Sequence, residues 1–266
     1  MQKDRITLGV CTNVTNVTNV ITGTDRLKLV VIHTAAKPRD FGNLWKPSDH
    51  VDYFHNRKAW MTIAVFDSWI KSVNSRMASQ GKSIVMLMDN ASSHDIPSVS
   101  ATEQHGLQTI KLTNVLVVFL PANTTSHVQP LDAGIIAVSK AHYKAHMLRW
   151  YIEQYEATET DKDWAMLMPG VRQAILWNVA AFGELSNQTI SNCWRKLDIL
   201  PPVWNAQLVN ADEREKTRAE EANAELSSLI TNLRLGSDAL SAEEFQNFPN
   251  EEQVSCLHVL FGFCNN

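Results

Sequence analysis

Two short apolar runs constrain the fold more than any other feature of the sequence. Residues 84–88 and 115–120 are continuous in apolar side chains, and turn-forming residues flank both runs. Runs of this length suit strands that are covered on both faces, as in a sheet with helices on each side. Pro121 ends the second run, because proline has no N–H group to donate to a strand ladder. The two runs therefore predict an α/β domain.

The rest of the chain supplies further strands and several helices. Strand-like alternation occurs at residues 5–12 and 27–32, and the repeat Thr12–Val20 between them is interpreted as a lengthened hairpin loop. Apolar residues at intervals of three and four predict helices at residues 59–77, 99–104, 130–155, 163–182, 187–196 and 211–233. In the first of these, Trp60 and Ile63 are assigned to the apolar face.

Composition divides the chain into a body and an acidic tail. Pro201-Pro202 breaks the chain, so residues 1–200 are assigned to the core and residues 201–266 to a mainly helical C-terminal extension. Residues 205–266 carry 4 Lys/Arg against 11 Asp/Glu, which leaves 20 against 17 for the body. A mildly basic body is compatible with a polyanionic partner.

Hydropathy and cysteine spacing exclude several classes of protein. No apolar stretch reaches the roughly 18 residues of a membrane span, so no membrane association is expected. The start of the chain shows no apolar signal region. The four cysteines have neither metal-ligand nor disulfide spacing. These features favour a cytosolic or nuclear protein.

Two aspartates are candidate metal ligands. Asp89 directly follows the first apolar run, and side chains at the carboxyl ends of strands commonly reach a ligand-binding crevice. Asp132 lies in the first turn after Pro130, which suits a helix start. Carboxylates are the ligands that Mg²⁺ and Mn²⁺ prefer. Alternatively, Asp89 makes only a side-chain turn and Asp132 only stabilises the helix dipole.

Other polar residues near these acids have two interpretations each. Asn90 and His94 follow Asp89 and could support it, and His94 could also be a metal ligand or a general acid; a solvated histidine is the alternative. Cationic side chains on the helix after Pro130 could contact a nucleic-acid backbone, or could form an ordinary solvated face. These residues are Lys140, Lys144 and Arg149.

Four segments carry a resemblance to a known family. They are residues 59–70, residues 87–94 (LMDNASSH), residues 119–143 with the motif QPLDAG at 129–134, and residues 189–196. In this order they resemble the DDE superfamily endonuclease domain of pogo/Tigger-type transposases, a group related to jerky-like proteins and centromere protein B. The resemblance spans most of residues 5–200.

The resemblance implies a fold, a chemistry and a set of partners. The fold is an RNase H-like mixed sheet flanked by helices, and the chemistry is two-metal phosphodiester hydrolysis followed by strand transfer. By the resemblance, Asp89 and Asp132 are the second and third catalytic acids and hold Mg²⁺ or Mn²⁺. DNA is the implied partner, the nucleus is the implied location, and the protein could be a homo-oligomer.

The same resemblance implies that the chain is N-terminally truncated. The family's first acid lies on a first strand upstream of the segment that residues 5–10 match, and Asp4, Asp25 and Asp40 do not take its place. We therefore expect two strand edges to lack a partner, poor folding cooperativity, and loss of the ancestral activity. The alternatives are a catalytically dead DNA-associated or assembly protein and a non-functional transposon remnant.

Overall fold

A computed structural model describes residues 6–12, 16–17, 20–21, 26–121, 129–156, 168–197 and 224–229. Its strands are β1 (Ile6–Gly9), β2 (Asn16–Val17), β3 (Val20–Ile21), β4 (Val30–His33), β5 (Asp52–His55), β6 (Ile84–Met88), β7 (Thr102–Gln104), β8 (Leu107–Lys111) and β9 (Val115–Phe119). Its long helices are α1 (Ile63–Ser79), α2 (Ile136–Glu156), α3 (Val171–Glu184) and α4 (Asn187–Lys196). The mixed sheets and flanking helices are consistent with the expected RNase H-like α/β class.

The first sheet has the strand order β1-β4-β5. Strand β1 runs antiparallel to β4, and β4 runs parallel to β5. The consecutive apolar residues of β4 point to opposite faces, as the pleat of a strand requires. Val30 and Ile32 join one apolar core, and Val31 joins the other. Strand β4 is therefore buried on both faces, which explains its unbroken apolar sequence.

The second sheet has the order β6-β9-β8-β7 and contains both apolar runs, residues 84–88 and 115–120. Strands β6 and β9 are parallel, with Ile84 opposite Val115 and Met88 opposite Phe119. Strands β7, β8 and β9 follow one another in antiparallel pairs. The carboxyl ends of β6 and β9 therefore lie side by side at one edge of this sheet.

The predicted helix at residues 99–104 is wrong. Residues 102–104 form β7, which pairs with β8 through a tight turn at His105 and Gly106. These two residues have φ values of 52° and 77°, and two-residue hairpin turns need positive φ at both positions. The His-Gly pair fixed the hairpin, whereas the apolar spacing had favoured a helix.

Helix α1 covers one face of both sheets. It begins after Thr62, whose hydroxyl accepts a hydrogen bond from the Val65 N–H at 3.3 Å. It ends before Gly81, which has a φ of 63°. Its buried face packs on β4, β6 and β9 and consists of Val65, Phe66, Trp69, Ile70, Val73 and Met77. Trp60 and Ile63, which the sequence had assigned to this face, are 49% and 39% exposed.

Helices α3 and α4 belong to the core on the opposite face, with residues from the start of α2. Asp40 caps α3 from a distant loop, because its Oδ2 accepts the Arg172 N–H at 2.6 Å. The close approach requires glycine at the N-cap, since a Cβ on Gly170 would lie 2.3 Å from that oxygen. At the other end, the Arg26 guanidinium donates to the Phe182 and Leu185 carbonyls. A cation at a helix C-terminus is favourable for the helix dipole.

The predictions for the remaining segments have mixed outcomes. The helix predicted at 130–155 appears as a turn at Leu131–Ile135 that continues into α2, and α4 matches its predicted bounds. Strands β2 and β3 pair antiparallel, so the Thr12–Val20 repeat contributes to a hairpin as expected. Most of the predicted tail helix lies outside the described residues, and residues 224–229 are helical. The described segments contain no helix with the length and apolar character of a membrane span.

The two sheets are joined by packing rather than by a strand ladder. Among the described strands, β1 has a hydrogen-bonded neighbour only in β4, and β6 only in β9. Both edge strands nevertheless contribute buried side chains, including Leu8 from β1 and Met86 from β6. Apolar contacts beneath α1 bring Val30 and Ile32 of the first sheet together with Met86 and Met88 of the second.

Candidate carboxylate site

Asp89 emerges where β6 leaves the core. Met88, the last residue of the strand, is fully buried, and its carbonyl accepts the Leu120 N–H at 2.7 Å. This bond holds the end of β6 against the end of β9. Asp89 comes next in the chain, and its side chain is 27% exposed. The carboxylate therefore lies at the sheet edge where the sequence predicted it.

His94 positions the Asp89 carboxylate. Its Nδ1 lies 2.7 Å from Asp89 Oδ1, and its side chain is only 6% exposed. The His94 ring also packs against Phe66 of α1, with 5.1 Å between ring centroids. A turn in which the His94 N–H donates to the Ala91 carbonyl brings the imidazole back toward the strand end. His94 thus connects Asp89 to the core beneath α1, and its supporting role stays a prediction.

Asp132 is carried by an irregular turn before α2. Residues Leu131–Ile135 form a helical turn that is interrupted by a kink at Gly134. Within it Gly134 has a φ of 151°, which disfavours other residues, and an added Cβ would lie 3.3 Å from Cys193 Sγ. Leu131 and Ile135 are buried on either side of the exposed Asp132. The turn therefore anchors two apolar side chains and leaves the carboxylate toward solvent.

The two aspartates influence each other electrostatically. Burial raises the pKa of Asp132 above its ordinary value, and the negative charge of Asp89 raises it further. Two nearby carboxylates resist simultaneous ionisation, and a bound cation would relieve this repulsion. The structure thus brings together the two acids that lie 43 positions apart in the sequence.

This pair supplies part of a metal-ligand set. Two carboxylates suit Mg²⁺ or Mn²⁺, which prefer oxygen ligands. Across the segments that the structure describes, no group of three or more His, Cys, Asp or Glu side chains is arranged as a metal site. Asp40 is engaged in capping α3, and Asp4 and Asp25 lie outside the described residues.

A groove of about 440 Å³ opens beside the site. Asn90 lines it at one end, together with the β7–β8 hairpin and the residues that follow β9. Sequence reasoning missed this groove, because the hairpin had been interpreted as a helix. Asn90 therefore faces a surface depression next to the carboxylates.

The three cations predicted to contact DNA are spread around α2. Lys140 and Lys144 are one turn apart, but Arg149 lies nine residues beyond Lys140, which is half a rotation of the helix. Lys144 is only 4% exposed, and burial, with a smaller effect of Lys140, lowers its pKa to about 8. Arg149 forms an ion pair with Glu225. Contact of these residues with DNA stays a prediction.

Sequence comparisons give this geometry a context. A family model described as DDE superfamily endonuclease matches residues 3–194. ARS-binding protein 1 of Schizosaccharomyces pombe is 28% identical over 255 residues, which cover 95% of this chain and 44% of that protein. CENP-B homolog protein 2 of the same organism is 26% identical over 255 residues, covering 94% and 45%.

A human protein shows a similar relationship over a shorter region. Major centromere autoantigen B of Homo sapiens is 26% identical over 174 residues, which cover 65% of this chain and 25% of that protein. The chain therefore spans less than half the length of these three relatives. No solved structure matches it significantly.

Proposed function

The chain belongs to the DDE superfamily endonucleases, and we propose that it is a DNA-associated member that retains part of the metal site without the ancestral cleavage activity. The observation that carries this proposal is the electrostatic coupling of Asp89 and Asp132. Like charges near each other at a sheet edge disfavour simultaneous ionisation, and a bound cation would relieve this repulsion. The pair would bind a divalent ion through its oxygens.

A bound divalent ion would determine the chemical roles of Asp89, Asp132 and His94. In two-metal sites the ions stabilise the attacking and leaving oxygens of a displacement at phosphorus. Here Asp89 and Asp132 would hold the ion, and His94 would keep Asp89 in a fixed orientation through its 2.7 Å contact. Held by these two carboxylates alone, the ion would be bound weakly and placed loosely, since a full ligand set fixes both.

DNA and the nucleus are proposed as partner and location. Two relatives are named ARS-binding protein 1 and major centromere autoantigen B, and this chain is similar to both. A runner-up is a non-functional transposon remnant, which would bind neither divalent metal nor DNA. Metal binding and DNA binding therefore separate the two proposals.

Metal binding tests the carboxylate pair directly. We expect Mn²⁺ to bind the purified chain, detected as loss of the free Mn²⁺ signal in electron paramagnetic resonance. Asp89→Ala should weaken this binding at least tenfold, whereas Asp95→Ala should not change it. Asp95 is a matched control because it is exposed in the same loop and accepts the Ile96 N–H. Equal Mn²⁺ binding by all three proteins would refute the proposed site.

A plasmid assay tests the absence of cleavage. Supercoiled DNA incubated with Mg²⁺ or Mn²⁺ should show the same low nicking with the chain and with Asp89→Ala. Nicking by the unmodified chain that Asp89→Ala abolishes would show an active nuclease and overturn this part of the proposal. Nicking that survives Asp89→Ala would indicate a contaminating nuclease.

A further inference from the structure

We propose that residues 56–61, the Trp60 loop, form a DNA-contact surface in which Trp60 stacks on an unpaired base and Arg57 and Lys58 meet phosphates. The inference rests on the proposed association with DNA, and it is independent of metal binding and cleavage. The apolar spacing does not explain why Trp60 is exposed, and the loop contributes no residue to the carboxylate site.

The Trp60 loop is held in a fixed conformation by one side chain. Asn56 Oδ1 accepts the backbone N–H groups of Lys58 at 3.1 Å and Trp60 at 3.2 Å. Asn56 Nδ2 donates to the Trp60 carbonyl at 2.7 Å. The Asn56 N–H donates to the His33 carbonyl, which attaches the loop to the end of β4. A surface that is ordered before binding loses less entropy when a ligand arrives.

The loop also contains a strained residue. Ala59 has a φ of 52°, in the left-handed region that residues with a Cβ rarely adopt. Its side chain is fully buried, so packing and the Asn56 hydrogen bonds maintain the conformation. Strain of this kind persists where the surrounding structure enforces it, and it occurs often at functional sites. The side chains on both sides of Ala59, Lys58 and Trp60, are exposed.

The outward side chains have the chemistry of a nucleic-acid surface. Trp60 is 49% exposed, whereas burial is the usual state of so large an aromatic side chain. Arg57 and Lys58 are exposed beside it, and Lys58 Nζ lies 5.9 Å from the centroid of the Trp60 ring. The first turn of α1, which follows directly, has no acidic residue to repel a phosphate. An aromatic platform with adjacent cations matches the way proteins bind single-stranded nucleic acid.

The Trp60 loop is connected to the carboxylate site through helix α1. The loop leads into the Thr62 cap of α1, and Phe66 lies one helical turn further. Phe66 contacts the His94 ring, and His94 contacts Asp89. One chain of contacts through the protein interior therefore connects the Trp60 loop to the carboxylate site.

Fluorescence anisotropy in EDTA tests the surface without metal or cleavage. The probes are a fluorescein-labelled 20-nucleotide single strand and the blunt duplex of the same sequence. We expect Trp60→Ala to weaken single-strand binding about five- to a hundredfold, as for loss of one stacked base, and to affect the duplex less. Trp60→Phe should retain most of the affinity, because it keeps an aromatic face.

Charge variants test the phosphate contacts separately. Replacing both Arg57 and Lys58 by Gln should reduce the slope of log affinity against log salt by about 1.4, for two phosphate contacts on a single strand. Lys46→Gln removes an equally exposed cation from another loop and should leave the slope unchanged. Asn56→Ala, which frees the loop, should weaken single-strand binding although it removes no charge.

The outcomes separate this inference from the proposed function. If the unmodified chain binds DNA and the Trp60 loop variants bind equally well, the inference is wrong and DNA association stands. If the unmodified chain binds neither probe, both are wrong. Circular dichroism of each variant confirms folding, which we expect to persist since Trp60, Arg57 and Lys58 are exposed.

Discussion

The cations of α2 and those of the Trp60 loop differ in burial and in pairing with acidic side chains. On α2, Lys144 is buried, Arg149 pairs with Glu225, and the histidines at 142 and 146 both contact Glu184. In the Trp60 loop, Arg57 and Lys58 are exposed beside an exposed tryptophan. Charge density along a sequence therefore does not identify a binding surface; the burial and pairing of each charge do.

The largest expected effect concerns the packing of α2. Trp177 of α3 lies between Tyr143 and Trp150 of α2, with ring centroids 6.0 and 5.8 Å away. Trp177→Ala should lower the free energy of unfolding by about 3–5 kcal/mol, because it leaves a cavity at this interface. Urea denaturation followed by circular dichroism measures the loss. A loss below about 1 kcal/mol would mean that α2 packs loosely. Its charged side chains would then be more accessible to solvent than their burial and pairing indicate.

Substitution of Lys144 tests whether burial keeps one charge of α2 from contacting DNA. Its pKa is lowered to about 8, so the fold favours the neutral amine and loses stability as the pH falls from the unfolded value near 10.5 toward 8. Lys144→Met should therefore increase the free energy of unfolding at pH 7 by about 1–2 kcal/mol, below the roughly 3 kcal/mol of the full pKa difference. The gain should shrink at pH 9.5, and single-strand DNA affinity should not change. Loss of affinity would show that Lys144 reaches DNA.

Glu184 tests whether the histidines of α2 are structural. Burial lowers the pKa of His142, while Glu184 opposes this shift across a 3.1 Å contact. Because the folded pKa lies below the unfolded one, His142 costs stability as the pH falls through about 6.5. Glu184→Gln removes the opposing charge and should enlarge the loss between pH 7.5 and 5.5 by about 0.5–1 kcal/mol. Thermal unfolding at the two pH values measures it.

The smallest effect concerns the carboxylate pair. Because its pKa is raised, Asp132 disfavours the folded state most when it is ionised, above its folded pKa, and this cost disappears as the pH falls. Asp132→Asn in EDTA should raise stability at pH 7 by less than about 0.5 kcal/mol, as expected for an exposed side chain. Mn²⁺ should then raise the melting temperature of the unmodified chain but not that of the variant. Equal stabilisation of both by Mn²⁺ would place the ion elsewhere.

The sequence predicted the framework of the site well. Strands β6 and β9 follow from their apolar runs, and Asp89 follows from its place at the end of β6. Pro130 predicted the helical start that carries Asp132. The spacing of α2 also held the information about Lys144, which lies three residues after the buried Ala141 and four before the buried Leu148. The sequence interpretation nevertheless assigned Lys144 to a solvated or DNA-contacting face, because the residue is charged.

The rest depended on interactions that spacing does not express. Periodicity assigned Trp60 to the buried face of a helix, but the Thr62 cap starts the helix later and leaves Trp60 outside it. Positive φ at His105 and Gly106 produced a hairpin where apolar residues suggested a helix. The contacts of His94 with Phe66 and Asp89 join two distant segments and arise only in the folded chain.

The cap between Asp40 and α3 restricts the order in which this protein can evolve. Gly170 cannot acquire even a methyl group while Asp40 Oδ2 occupies that position, because the two atoms would lie 2.3 Å apart. Substitution of Asp40 loses the hydrogen bond to the Arg172 N–H but removes the closest contact, leaving a Cβ at position 40 that would lie 3.0 Å from the added methyl group. Changing Asp40 first therefore leaves more room for a side chain at position 170, whereas changing Gly170 first forces the Asp40 carboxylate to move and lose its hydrogen bond. Two residues 130 positions apart thus restrict each other's substitution.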